Sequence, residues 1–188
     1  LGIIGLGAIG GPLANRARKL GMDVYGCDPH ISVEAAWHLD RHVQRVKTRD
    51  EIYENCDFIT LHVPLLPATE KMINAEALAK MKDGVILVNT SRGALVKTDD
   101  LIEGIRQKKF AGVGLDVYEE ESKYFFNDWS ANVIRDDILA RLLTFPNVIV
   151  TSHQAFLTTN ALENIADITL NNIKDFSEEN ELKNRVFI

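Results

Sequence analysis

The stretch "LGIIGLGAIGG" (residues 1–11) joins a short apolar run to a turn with the spacing G-x-G-x-x-G, formed by Gly5, Gly7 and Gly10. In such turns the first glycine permits a tight bend, and the second lets the backbone approach a pyrophosphate. The third lets the next helix pack closely on the strand, with its positive N-terminus directed at the phosphates. The motif alone is a weak signal, so the surrounding sequence has to support it.

Residues on either side of the turn favour a dinucleotide site. An apolar run precedes the turn, a helical pattern follows it, and Asp28 ends a second apolar run. A carboxylate about 20 residues beyond the glycines can accept hydrogen bonds from both hydroxyls of an adenosine ribose. A 2′-phosphate would meet a like charge there, and residues 29–31 supply no arginine. The sequence predicts NAD rather than NADP; the alternative, that Asp28 only caps its turn, predicts no preference.

Six apolar runs along the chain are typical of buried strands. They are apolar almost continuously, as expected where both faces of a parallel sheet are covered. The runs are 1–4, 22–27, 58–62, 85–89, 111–117 and 147–151. Helical patterns lie near 8–20, 49–55, 74–81, 98–107, 136–143 and 158–177. This alternation predicts the α/β class, with a doubly wound, Rossmann-type parallel sheet and helices on both faces.

Composition narrows the range of partners. The net charge is −6 over 188 residues, without a lysine or arginine cluster, which argues against a nucleic-acid or membrane-surface partner. No apolar run is long enough for a transmembrane helix or a secretory leader. Cys27 and Cys56 have no paired spacing, so we expect no disulfide scaffold and a cytoplasmic location. The expected partner is a small molecule.

A metal site is not expected. Glu34, His38 and His42 recur every four residues, a spacing that could align metal ligands on one helix face. No fourth ligand is evident, and short motifs of this kind often match by chance. A solvated helix or loop is the favoured interpretation of this segment.

Three polar residues follow predicted strands. They are Arg92, Glu121 and His153. In open α/β sheets, ligands bind beyond the carboxyl ends of the strands, and these three side chains suit a substrate that is itself a carboxylate and exchanges a proton. Taken singly, an arginine in such a position is more often a surface residue, a glutamate is more often solvated, and a histidine is more often structural. Their joint order behind one dinucleotide motif favours an active site.

These motifs together resemble the NAD-binding domain of the D-isomer-specific 2-hydroxyacid dehydrogenases, over essentially all 188 residues. The resemblance implies that Arg92, Glu121 and His153 are catalytic and that NAD is the cofactor. The cofactor contacts that it implies are Gly5, Gly7, Ala8, Ile9, Gly10, Asp28, Val63, Pro64, Thr69, Thr90, Ser91 and Asp116.

The resemblance also implies a separate catalytic role for each of the three residues. Arg92 would bind the substrate carboxylate and polarise the ketone, which suits a planar, bidentate guanidinium. His153 would exchange a proton with the substrate oxygen, while Glu121 would orient the imidazole ring and stabilise its charged form. The substrate would be a small 2-keto or 2-hydroxy acid.

Domain organisation and assembly follow from the same resemblance. Residues 1–153 are expected to form the dinucleotide-binding domain. Residues 154–188 would form a C-terminal helix and tail leading back to a substrate domain whose N-terminal part is absent from this chain. Members of the family usually form homodimers through the cofactor domain, and the possible apolar contacts are Tyr124, Phe125, Phe126 and Trp129.

The two halves of the sequence resemble different members of the family. Residues 28–65 are more similar to phosphoglycerate dehydrogenases, whereas residues 121–142 and 151–162 are similar to D-lactate dehydrogenases. The second half contains the residues near the substrate, so pyruvate and D-lactate are the expected pair. A phosphoglycerate dehydrogenase-type enzyme and an NAD-sensing corepressor, which keeps the same triad, remain alternatives.

Overall fold

The computed structural model describes residues 1–119 and 137–185, and those up to residue 152 form a doubly wound α/β fold around one parallel sheet. Within these residues the strands are β1 (Gly2–Ile4), β2 (Tyr25–Cys27), β3 (Gln44–Arg45), β4 (Phe58–Leu61), β5 (Val85–Asn89), β6 (Phe110–Leu115) and β7 (Val148–Val150). Their order is β3-β2-β1-β4-β5-β6-β7, and all neighbours are parallel. The predicted fold class is confirmed. The order reverses between β1 and β4, where ligands bind in such folds.

Helices connect most of these strands. Among the described residues the helices are α1 (Gly10–Lys19), α2 (Val33–Trp37), α3 (Arg49–Asn55), α4 (Ala75–Lys80), α5 (Thr98–Arg106), α6 (Asp137–Thr144) and, after the last strand, α7 (Thr159–Ser177), with a 3₁₀ helix at Gly93–Leu95. Every apolar run and helical pattern predicted from the sequence contains or overlaps one of these elements. The short elements α2, β3 and the 3₁₀ helix were not predicted.

Helices cover both faces of the sheet. Adjacent residues of β1 point to opposite sides, as the two-residue period of a strand requires. Ile3 packs with Ala14 and Ala17 of α1, whereas Ile4 belongs to the larger core on the other face. That larger core includes Ile52 of α3, Leu78 of α4, Leu101 of α5 and Leu142 of α6. Burying each Ile or Leu side chain contributes roughly 1.5–3 kcal/mol.

The start of α3 shows how the sequence defines a helix end. The Thr48 hydroxyl accepts a hydrogen bond from the Glu51 backbone N–H, and the Glu51 carboxylate accepts one from the Thr48 backbone N–H, at 3.0 Å. This capping box satisfies N–H groups that lack partners within the helix. The hydrogen bonds from Thr48 hold the pKa of Glu51 below its ordinary value.

The region considered for a metal does not provide a shared helix face. Helix α2 ends at Trp37, so Glu34 and His42 do not lie on one continuous helix. The His42 ring nitrogen instead lies 3.0 Å from the Asp40 carboxylate. Among the described residues, no three His, Cys, Asp or Glu side chains form a group that could hold a metal ion.

The chain divides into two compact units, Leu1–Ser152 and His153–Ile188. The first contains the sheet, and the second contains α7, whose N-terminus is capped by the Thr158 hydroxyl. The functional division into 1–153 and 154–188 stays a prediction. Cys27 and Cys56 are buried free thiols, and burial raises the pKa of both. In the part of the chain described, no helix is long and apolar enough to cross a membrane.

The glycine turn offers a test of close packing. A Cβ at Gly10 would overlap the carbonyl oxygen of Gly5, whereas a Cβ at Gly7 would meet no atom within 4 Å. We expect Gly10→Ala to lower the free energy of unfolding by about 1–3 kcal/mol, the usual effect of overpacking. Gly7→Ala is the matched control and should change it by less than about 0.5 kcal/mol. Urea unfolding measures both, and equal stabilities of the two variants would contradict this account of the turn.

Candidate active site

The glycine turn follows the carboxyl end of β1, between the carboxyl ends of β2 and β4. Gly5 has φ of +96°, a conformation that favours glycine, and a Cβ there would overlap the His62 carbonyl oxygen. Its backbone N–H donates to Cys27 O at 2.9 Å, while the His62 N–H donates to Ile4 O at 2.7 Å. The turn is therefore held by β2 on one side and by the end of β4 on the other.

The outer side of the turn is open. Gly7, Ala8 and Ile9 are exposed, and no side chain among the described residues caps the start of α1. The first turn of α1 also has no acidic residue. Backbone N–H groups and the helix dipole at such an end favour an anion. The space above Gly7 therefore fits the pyrophosphate of a dinucleotide.

Asp28 lies against the glycine turn. Its Oδ2 accepts a hydrogen bond from the Leu6 backbone N–H at 2.8 Å, and its Oδ1 accepts one from the His30 backbone N–H at 2.9 Å. Asp28 therefore caps its own turn, which is compatible both with the ribose role and with the alternative that capping is its only role. Each carboxylate oxygen has a second acceptor site, so these contacts leave capacity for ribose hydroxyls.

The loops after β4 and β5 are joined by side-chain hydroxyls. Ser91 Oγ donates to Val63 O at 2.6 Å. Thr69 Oγ1 donates to Pro64 O at 2.6 Å and accepts from the Leu66 N–H at 2.8 Å, which closes the loop 64–69 on itself. Four of the predicted cofactor contacts therefore belong to one connected surface beside the glycine turn.

Asn89, which sequence reasoning counted only as a strand residue, organises the turn that carries Arg92. Its side chain is fully buried: Nδ2 donates to Arg92 O at 2.8 Å, and Oδ1 accepts from the Ser91 N–H at 3.1 Å. Its own carbonyl accepts from the Asp116 N–H at 2.9 Å. A buried amide is costly unless it is hydrogen-bonded, so this side chain favours a single conformation of the turn. A polar residue ending the run "VILVN" was the available signal.

Arg92 itself is exposed at this edge. One guanidinium nitrogen donates to Ser91 O at 2.7 Å. A guanidinium has five N–H donors in a fixed fork, so a carboxylate ligand can still be bound in a bidentate manner. Thr90 is also exposed beside it.

The residues after β6 and β7 are hydrogen-bonded to each other, and Asp116 is also bonded to Asn89. The Asp116 carboxylate accepts a hydrogen bond from the Thr151 hydroxyl, and the Thr151 N–H donates to Leu115 O at 2.8 Å. His153 is exposed, has φ of +52°, and begins the second unit. Glu121 lies outside the described residues. The assembly of Arg92, Glu121 and His153 into one triad stays a prediction.

His62 is a second residue that sequence reasoning missed. Its Nε2 is hydrogen-bonded to Thr60 Oγ1 at 3.0 Å, and burial holds the pKa of the imidazole below its ordinary value. Since the His62 carbonyl oxygen packs against Gly5, the residue supports the glycine turn from β4. The "LH" end of an apolar run gave little indication of this role.

Comparisons with known proteins agree with this architecture. Residues 1–155 match the family described as D-isomer specific 2-hydroxyacid dehydrogenase, NAD binding domain. A putative D-lactate dehydrogenase of Dictyostelium discoideum is 43% identical over 182 residues, which are 97% of this chain and 53% of that protein. An aromatic 2-oxoacid reductase of Clostridium sporogenes is 40% identical over 186 residues, 98% of this chain and 55% of that protein.

A solved structure is similar throughout. The crystal structure of D-lactate dehydrogenase with NAD+ from Lactobacillus jensenii has a TM-score of 0.85 and 32% identity, covering 100% of this chain and 55% of that one. The chain thus spans about half the length of the relatives that it matches. On the match of residues 1–155, the chain belongs to the D-isomer specific 2-hydroxyacid dehydrogenases as their NAD-binding domain, with NAD as its cofactor.

Proposed function

We propose that this chain supplies the cofactor site and the catalytic side chains of an NAD-dependent dehydrogenase that interconverts pyruvate and D-lactate. The observation that carries the proposal is the Arg92 turn. It is held by buried Asn89, and Ser91 ties it to Val63 beside the glycine turn. A 2-keto acid needs a cation for its carboxylate next to the cofactor, and Arg92 suits that need.

Each proposed step uses a residue of this chain. Arg92 binds the substrate carboxylate and orients the carbonyl carbon toward the cofactor edge. The bound cofactor supplies or accepts the hydride through its nicotinamide. In reduction His153 donates a proton to the substrate oxygen, and in oxidation it takes that proton back. Glu121 orients the His153 ring and stabilises its protonated form.

The cofactor contacts are proposed along one edge of the sheet. Backbone groups of the glycine turn bind the pyrophosphate, and Asp28 binds the adenosine ribose. The remaining contacts would come from residues after β4, β5 and β6. The full proposed set is Gly5, Gly7, Ala8, Ile9, Gly10, Asp28, Val63, Pro64, Thr69, Thr90, Ser91 and Asp116.

The choice of pyruvate and D-lactate rests on resemblance. Residues 121–142 and 151–162 are similar to D-lactate dehydrogenases, and one relative carries that name. Another relative is named for aromatic 2-oxoacids, so a larger keto acid is the first alternative within this reaction. A phosphoglycerate dehydrogenase-type enzyme and an NAD-sensing corepressor are the others. The enzymes can be distinguished from the corepressor with a form of the protein extended by a substrate domain, here called the extended form. An enzyme would reduce keto acids in this form, whereas a corepressor would not.

The proposal includes a homodimer in the cytoplasm, formed through the cofactor domain, with no nucleic-acid or membrane partner. Two buried free thiols support the cytoplasmic location, and a net charge of −6 argues against a nucleic-acid partner, while the homodimer rests on the family resemblance. The suggested apolar dimer contacts, Tyr124, Phe125, Phe126 and Trp129, lie outside the described residues.

Cofactor selectivity tests the role of Asp28. We expect tighter binding of NADH than of NADPH by the 188-residue chain, measured by fluorescence titration. Asp28→Asn keeps a side-chain acceptor but removes the charge. It should therefore reduce the difference between the two affinities by relieving repulsion of the 2′-phosphate. Asp23→Asn, at an exposed acid that pairs with Arg18, is the control and should leave that difference unchanged. Equal affinities of the unaltered chain for the two cofactors would contradict the assignment.

Substrate binding tests Arg92. In the extended form, Arg92→Lys should lower kcat/KM for pyruvate roughly 10- to 100-fold, the effect of losing a charge-assisted hydrogen bond. The dissociation constant for NADH should stay unchanged, because the variant keeps its positive charge and the glycine turn is intact. Steady-state kinetics and NADH titration measure the two quantities. An unchanged kcat/KM would remove Arg92 from the proposed site.

Opposite pH dependences test His153 and Glu121. Pyruvate reduction needs protonated His153 and should fail at high pH, whereas D-lactate oxidation needs the neutral ring and should fail at low pH. His153→Ala should depress both directions by about 100- to 10,000-fold. Glu121→Gln removes the charge that favours the imidazolium, so both pH profiles should move to lower pH. If hydride transfer limits the rate and neither profile moves, Glu121 is not the partner of His153.

A further inference from the structure

The Glu119 carboxylate connects three segments at the carboxyl edge of the sheet. Its side chain is only 20% exposed. One oxygen accepts a hydrogen bond from the Thr98 backbone N–H at 3.0 Å, and the other lies 3.2 Å from Lys71 Nζ. The loop after β6 is thereby tied to the first residue of α5 and to the loop that precedes α4.

The turn that carries Arg92 lies next to the segments that the Glu119 carboxylate connects. Arg92 immediately precedes the 3₁₀ helix Gly93–Leu95. The carbonyl of Ala94 accepts a hydrogen bond from the Lys71 backbone N–H at 2.8 Å. A Cβ at Gly93 would overlap the Tyr118 carbonyl oxygen and lie 2.6 Å from the Glu119 nitrogen. The backbone just after Arg92 therefore touches two of the three segments that the Glu119 carboxylate connects, the loop before α4 and the loop after β6.

Glu119 satisfies a backbone N–H at the start of α5. Lys97, which precedes the helix, makes no side-chain capping bond, so the Thr98 N–H is satisfied from outside the helix. Partial burial alone would raise the pKa of Glu119. The hydrogen bonds from Thr98 and the charge of Lys71 outweigh that effect and hold the pKa below its ordinary value. The carboxylate is therefore ionised at neutral pH, which strengthens both contacts.

We propose that Glu119 is a positioning residue for Arg92, fixing the backbone from Gly93 to Thr98 so that the guanidinium is presented in one orientation. This inference rests on the proposed function of Arg92 as the group that binds the substrate carboxylate. Glu119 does not touch the substrate; it acts through the Arg92 turn.

The first test measures the turn itself and needs no activity. Amide hydrogen exchange of the 188-residue chain is compared for Glu119→Gln and for Lys82→Met. The control removes the 3.0 Å Lys82–Asp57 ion pair, which lies before β4 and β5 at the other end of the strands. Exchange across residues 92–98 should become at least about threefold faster in Glu119→Gln and stay unchanged in the control. Unchanged exchange in both variants would overturn the proposal.

The second test is a double-mutant cycle in the extended form. Glu119→Gln should raise KM for the keto acid with little change in the NADH dissociation constant. In an Arg92→Lys background, the same substitution should have almost no further effect, because residues acting through one another are not additive. Equal losses in both backgrounds would show that Glu119 does not act through Arg92. An extended form that reduces no keto acid would contradict the proposed function, while hydrogen exchange would still decide whether Glu119 fixes the turn.

Discussion

The close approach of the start of α1 to the β1 turn is the constraint on which the rest of the site depends. It is possible because Gly10 has no Cβ to overlap the Gly5 carbonyl oxygen. In the same turn the Leu6 N–H lies 2.8 Å from the Asp28 carboxylate, and the space around Gly7 is open. The absence of a Cβ at Gly10 thus lets the helix end that favours an anion lie close to Asp28, the acid proposed to accept the ribose hydroxyls.

A second constraint is polar. Asn89 is fully buried, yet both ends of its amide are hydrogen-bonded within the turn 89–92. Breaking either bond would leave a buried polar group without a partner, at a cost of about 1–3 kcal/mol. The turn is therefore rigid while the Arg92 side chain remains exposed. An exposed guanidinium on a rigid backbone can bind an anion without first ordering the chain that carries it.

The hydrophobic periodicity and the strand-helix alternation of the sequence predicted most of the fold and the edge of the sheet at which the candidate site lies. Six of the described strands, each of three to six residues, lie in or overlap continuous apolar runs, and polar residues after them marked the carboxyl edge. The elements missed are short: α2 has no buried residue, β3 is two residues paired through its backbone, and the 3₁₀ helix has only three residues, of which Gly93 and Leu95 are buried. Glu119 lies in a run of three glutamates, which is usually a solvated face. Its contacts with Thr98 and Lys71 come from distant parts of the sequence, so no local pattern could reveal them.

The proposed roles of Arg92 and His153 limit which parts of a substrate this domain can recognise. In the proposed roles Arg92 would bind the substrate carboxylate and His153 would exchange a proton with the carbonyl oxygen, and every 2-keto acid has both groups. Neither residue, in these roles, contacts the remaining substituent of the substrate. Substitutions at these residues should therefore change the rates for small and large keto acids by similar factors, since they alter interactions that all such substrates share. Discrimination between keto acids then has to come from groups that touch the substituent, which separates the chemistry of the site from its substrate choice.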